Sequence, residues 1–187
     1  MKLTIKTVAS LVIAALMILS VFGFVLSYRT SDTQQYDYNG VTFTPARNGW
    51  KAVIDGREHE FFYHPSELSS ATVPVTARAL LIDAPAIKIT YDDEEEPLLL
   101  GEVQYYMEQH LLDRKRVQRG TVHGTGVLPA LTCANADRLA PVLLLALGND
   151  TLTREESSCV TLTAATPQEL IRASDTLTYL MLGVLED

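Results

Sequence analysis

Two cysteines, four histidines and a run of five acids are the side chains through which this 187-residue chain could do chemistry. Cys133 and Cys159 are the only cysteines. An even count suits one disulfide in an oxidising compartment, closing a loop of 27 residues; two buried free thiols are the alternative. A nucleophilic cysteine needs an adjacent base, and no sequence feature brings His123 to Cys133 although only ten residues separate them. His59, His64, His110 and His123 show neither HExxH nor any paired metal-ligand spacing. Glu58-His59-Glu60 sets neighbours on opposite faces of a strand. His110 shares a helical stripe with Val103 and Tyr106, the usual place of a satisfied boundary histidine. The run Asp92-Asp93-Glu94-Glu95-Glu96 carries the hard oxygens that calcium prefers. Consecutive side chains do not converge on one ion, so a solvated loop is expected. No GxSxG, SxxK, Walker or Rossmann pattern is present, and Gly124-Thr125-Gly126 falls short of a phosphate loop. The expectation is no catalytic residue, no metal and no cofactor. Asn149-Asp150-Thr151 is a glycosylation sequon on a predicted hairpin turn.

The elements that position these groups fall into two parts of opposite charge. Residues 1–29 carry Lys2, Lys6 and Arg29 and no acid, a charge of +3; the remainder carries −11. That balance argues against nucleic acid as a partner, which asks for a basic face. From Thr7 to Tyr28 run 22 uncharged residues, about 33 Å of helix against a hydrocarbon core of about 30 Å. The run predicts a transmembrane anchor over 1–29, with Val8, Leu11, Leu16, Leu19, Phe22 and Leu26 facing lipid. It is longer than a signal-peptide core. The lysines keep the N-terminus cytoplasmic and put the rest outside as a single-pass membrane protein. Residues 30–36 read as a polar linker.

Residues 37–187 read as one extracytoplasmic domain. Asn39-Gly40, Asn48-Gly49 and Asp55-Gly56 mark tight turns. Between them Val41 and Phe43, then Trp50, Ala52 and Ile54, then Phe61 and Tyr63 recur at period two, which predicts an antiparallel meander. Half of the 14 aromatic residues lie in positions 36–63, enough for one side of a small core. A short helix is expected over VTARALLID, a strand over 86–92, a helix over 99–116 ending in Arg114-Lys115-Arg116, and a strand over 117–123. Strands follow over 141–147 and 158–164. Thr166-Pro167-Gln168-Glu169 caps a last helix carrying Leu170, Leu177, Leu180, Met181 and Val184 on one stripe. The fold class is α+β: an N-terminal transmembrane helix, then one compact domain with a largely antiparallel sheet covered by two or three helices.

A resemblance adds to this. The apolar start and aromatic hairpin, then Cys133-Ala134-Asn135-Ala136-Asp137, Pro141-Val142, Ser158-Cys159-Val160, Asp175-Thr176-Leu177-Thr178-Tyr179 and Leu182-Gly183-Val184, resemble a group of small archaeal membrane-anchored proteins. The resemblance implies a single-pass, outward-facing architecture with a cysteine pair, and no activity. The function expected is a non-catalytic domain that binds a protein or envelope component and meets the lipid bilayer through its N-terminal helix. A pilin-like or secretion-apparatus subunit is the alternative, though Lys6-Thr7-Val8 offers no convincing processing site. An anchored hydrolase stands third.

Overall fold

Asn39 and Asp55 both hold positive φ, each followed by a positive-φ glycine, which is the type I′ geometry whose twist matches paired strands. These turns fold β1 (Tyr36–Tyr38), β2 (Val41–Ala46), β3 (Gly49–Ile54) and β4 (Arg57–Phe61) into an antiparallel sheet in chain order. The middle turn departs from expectation. Ala46 pairs with Gly49, so Arg47-Asn48 make the turn and Gly49 opens β3. There a Cβ would stand 2.0 Å from the Phe61 carbonyl oxygen, so only glycine fits. Phe43, Ala52, Ile54 and Phe61 face inward as their spacing predicts.

The computed structural model describes residues 13–20 and 34–185. Residues 13–20 form a helix, and among the described residues no helix is long and apolar enough to cross a membrane. This corrects the expected transmembrane helix: of the 22-residue run the structure describes only 13–20, and no described helix there or elsewhere meets the length and apolarity of a span. Leu16 and Leu19 are exposed on it, while Val8, Leu11, Phe22 and Leu26 lie outside the described residues. The domain spans Gln35–Asp187, and β1 begins one residue inside the expected linker.

The expected single, largely antiparallel sheet is also corrected. After α1 (Val75–Asp83) come β5 (Ala86–Tyr91), α2 (Pro97–Leu111), β6 (Arg116–Arg119), β7 (Val142–Leu147), β8 (Leu152–Glu156), β9 (Cys159–Ala164) and α3 (Pro167–Met181). They build a second sheet in the order β6-β5-β7-β9-β8. Within it β5 pairs parallel with β6 and β7, and β7 with β9; β8 alone runs antiparallel. The physical reason is the connection: a helix between β5 and β6 returns the chain to its starting end, which forces parallel pairing. The unbroken apolar run of β7 fits a strand covered on both faces.

α3 packs on β9 and α2 and also sets Tyr179 against Phe43 and Phe61 of the meander, ring centres 5.9 and 4.1 Å apart. Its apolar stripe lies in the chain's own core: Leu170, Leu177, Leu180 and Met181 are all buried, and Val184, expected on the same helix, is buried just past its end. On the far face of the mixed sheet the 121–141 connection lies over β5. Thr90 Oγ1 donates to the Leu131 carbonyl (2.8 Å) and Lys88 Nζ to the Asn135 carbonyl (2.6 Å). Cys133 is bonded to Cys159, Cα atoms 5.2 Å apart, which fixes this connection to β9. Replacing both cysteines by serine is expected to lower unfolding free energy by about 2 to 4 kcal/mol, from lost loop closure in the unfolded chain, read by urea denaturation.

The predicted helix over 99–116 ends at Leu111, so the cationic run does not sit on its dipole. Lys115 instead donates from Nζ to the Ile82 and Ala84 carbonyls (2.7 and 2.6 Å), capping the end of α1. Arg114 pairs with Asp55, and Arg57 with Asp113 (2.6 Å), tying the last meander turn to the end of α2. One turn carries visible strain. Ser157 and Ser158, between β8 and β9, hold φ of 50° and 67°, a conformation costing a non-glycine residue about 1 kcal/mol. Ser158→Gly is expected to stabilise by about that amount, raising Tm by a few degrees.

Candidate binding crevice

Alternation along β4 decides what its side chains can do. Glu58 and Glu60 turn outward, where both reach Lys51 Nζ (3.0 and 2.7 Å); His59 and Phe61 turn inward and are buried. β4 is an edge strand, and a crevice of about 360 Å³ runs between it and α2. Trp50, Phe62 and Tyr106 supply its aromatic wall, Asn48 and Gln109 neutral amides, and His59 with His110 its floor. Tyr106 and His110, one helical turn apart, meet at 4.5 Å between ring centres.

The two histidines are partners. Their Nδ1 atoms are 2.9 Å apart, with ring centres 5.1 Å apart and planes inclined by 21°. The centres are separated by nearly the full sum of the nitrogen–nitrogen distance and one ring radius on each side, so the two Nδ1 axes lie nearly on one line. That is hydrogen-bond geometry, one ring donating and the other accepting; two ligands of one ion would have converging axes. Protonating both would set two N–H groups head on. Burial, helped by neighbouring His59, holds His110 down to about 4. Burial and then Arg57 lower His59 as well. Both rings are neutral at pH 7.

Behind them lies a second buried pair. Asp175 of α3 accepts from the Phe62 and Tyr63 amides through Oδ2 (3.0 and 2.8 Å) and from the Tyr106 hydroxyl through Oδ1. Burial pushes its carboxyl up to about 6 against those three donors. Burial and the Asp175 charge raise the Tyr106 phenol, so it stays protonated and serves as a donor. Tyr179 donates to the Tyr63 carbonyl (2.9 Å). One carboxylate thus ties the end of the meander to both α2 and α3.

His64 caps the short helical turn Pro65–Glu67 by accepting from the Ser66 amide (3.3 Å). Its ring sits 4.7 Å from Trp50 and 5.0 Å from Phe43, and burial lowers its basicity. His123 meets the acidic run rather than Cys133: its Nε2 is 3.4 Å from Asp92 and 4.0 Å from Glu94. The ligand atoms of these three residues lie within 4.8 Å of one another, on a solvated surface where such groups are common. Asn149 is exposed at the rim of a hollow of about 610 Å³ over β8 and β9, beside the disulfide.

The sequence placed His59 and His110 singly but gave no sign of their meeting, because 51 residues separate them. Nor did it give Asp175 a role: the residue entered only within the motif Asp175–Tyr179, on a helix that also carries Arg172, Ser174, Thr176 and Thr178. No protein-family model, no curated protein and no solved structure matches the chain.

Proposed function

We propose that the chain presents a non-catalytic interaction domain working in an oxidising, extracytoplasmic compartment, and that the crevice between β4 and α2 receives its partner. One observation carries this reading. The ionisable groups around the crevice are engaged within the fold: His59 with His110, Tyr106 with Asp175, Arg57 with Asp113, and Glu58 and Glu60 with Lys51. Catalysis asks for a group free to take or give a proton, or to attack. Binding asks for partly exposed aromatic surface with a few polar groups around it. Phe62 is 46 % exposed and stands 5.4 Å from Tyr106, with Gln109 beside them.

The disulfide supports the compartment. Burial of the α3 stripe inside one chain supports a self-contained domain over a subunit that hides that stripe only on assembly. The test is a photocrosslinking residue in the full-length chain, at Gln109 in one variant and at Val127, 92 % exposed and remote, in another. In cells of the native host the crevice variant should yield a discrete adduct and the remote one none. Equal capture from both positions, or none from Gln109, would overturn the proposal.

A further inference from the structure

Resting on that reading, we infer that the partner enters the crevice as an extended peptide that adds a strand to the free edge of β4, and that its side chains alternate apolar and basic. The register makes the edge available. The type I′ turn at Asp55-Gly56 closes on the pair Ile54 and Arg57, which exchange both backbone bonds. Bonded and non-bonded pairs then alternate, so Arg57, His59 and Phe61 bond to Ile54, Ala52 and Trp50. The N–H and C=O groups of Glu58 and Glu60 point the other way, on the free edge that borders the crevice, where the Glu60 backbone also meets the His110 ring.

A bare edge is not yet a site. β1, β6 and β8 are also edges, and β4 carries charged side chains as β6 and β8 do. What sets β4 apart is the aromatic-walled crevice that adjoins its edge. Strand addition takes affinity from the backbone and specificity from alternate side chains. On the inner face an added strand would set apolar side chains toward Phe62, Tyr106 and the stacked His110. On the outer face its side chains would lie beside Glu58 and Glu60, two carboxylates that share the single ammonium of Lys51. The surplus negative charge asks for lysine or arginine there. Gln109, on the opposite wall, offers an amide that can both donate to and accept from the far edge of the peptide.

The probe is a blocked heptapeptide alternating lysine with valine and phenylalanine, titrated into the full-length, isotope-labelled protein and followed by amide NMR. Binding should shift Glu58, Glu60, Phe62 and Gln109 and slow hydrogen exchange at Glu58 and Glu60. Glu58→Pro removes one edge N–H without touching the β3 ladder, which prolines on edge strands allow. It should weaken binding at least about tenfold relative to Glu58→Ala, which loses the same carboxylate but keeps the backbone donor. Two peptides N-methylated on opposite edges give an answer that needs no variant: only the one blocked toward β4 should fail to bind. If both methylated peptides bind alike, or Glu58→Pro binds as wild type while Phe62, Tyr106 and Gln109 still shift, strand addition is wrong and the crevice remains a binding site through its side chains. A peptide that leaves the crevice unshifted overturns strand addition too, and the photocrosslinking result then stands alone in judging the crevice.

Discussion

Asp175→Ala should lower unfolding free energy by about 3 to 5 kcal/mol at pH 7, because it strands the Phe62 and Tyr63 amides and the Tyr106 hydroxyl in a buried place. For a chain of this size the loss corresponds to a fall in Tm of about 10 °C. Asp175→Asn keeps an acceptor for the two amides and can donate to Tyr106, so its stability at pH 7 should stay near wild type. The two variants therefore separate loss of the hydrogen bonds from loss of the charge. The pH dependence supplies the sign. Asp175 titrates near 6 in the fold against 3.8 when unfolded, so its ionised form opposes folding above pH 6 and that opposition is relieved as pH falls toward 4. His110 titrates near 4 against 6.5; its contribution is present above pH 6.5 and is lost as pH falls through 4. In wild type the two opposing effects largely cancel between pH 6.5 and 4. Asp175→Asn removes the relief and leaves the histidine loss, so it should fall below wild type by up to about 3 kcal/mol on acidification to pH 4. Urea titrations at several pH values measure this. Parallel pH profiles for wild type and Asp175→Asn would refute the assignment.

The second large effect is in the core. Leu177 is 1 % exposed on α3, on the element that joins the meander to the mixed sheet. Leu177→Ala should cost about 3 to 5 kcal/mol, the lost transfer energy plus the cavity left behind. The melting temperature of wild type should not depend on protein concentration, since the stripe is buried within one chain. A midpoint that climbs with concentration would mean that folding is coupled to assembly.

What could be read from the sequence follows from how local each signal is. The inward residues of the meander were legible because alternation and turn dipeptides act within a few positions. The cap at Thr166, whose side chain accepts from the Glu169 amide (3.2 Å), was legible for the same reason. The cysteine pair was read by counting. The mixed sheet was not legible: Ile87, Ile89 and Tyr91 alternate in either pairing direction, and only the crossover through α2 makes β5 and β6 parallel. The cover over its far face is the irregular 121–141 connection, which has no periodic signature. Arg114 and Lys115 read as part of one cationic run, yet they bind Asp55 and the α1 carbonyls respectively. The 22 uncharged residues from Thr7 gave the strongest compositional signal; residues 13–20, the described part of that run, are helical, and no described helix is long and apolar enough to cross a membrane. The crevice was not legible either, because His59 comes from an edge strand, Phe62 from just past its end, and Tyr106, Gln109 and His110 from a helix brought beside it only by the fold.

The measurement that addresses the crevice most directly is hydrogen exchange on the full-length chain, free and in the complex captured through Gln109. Partner binding at the proposed place predicts added protection over residues 57–62 and 105–110, with little change over 149–163. Protection over 149–163 with residues 57–62 and 105–110 unchanged would put the partner on the hollow beside the disulfide and contradict the account.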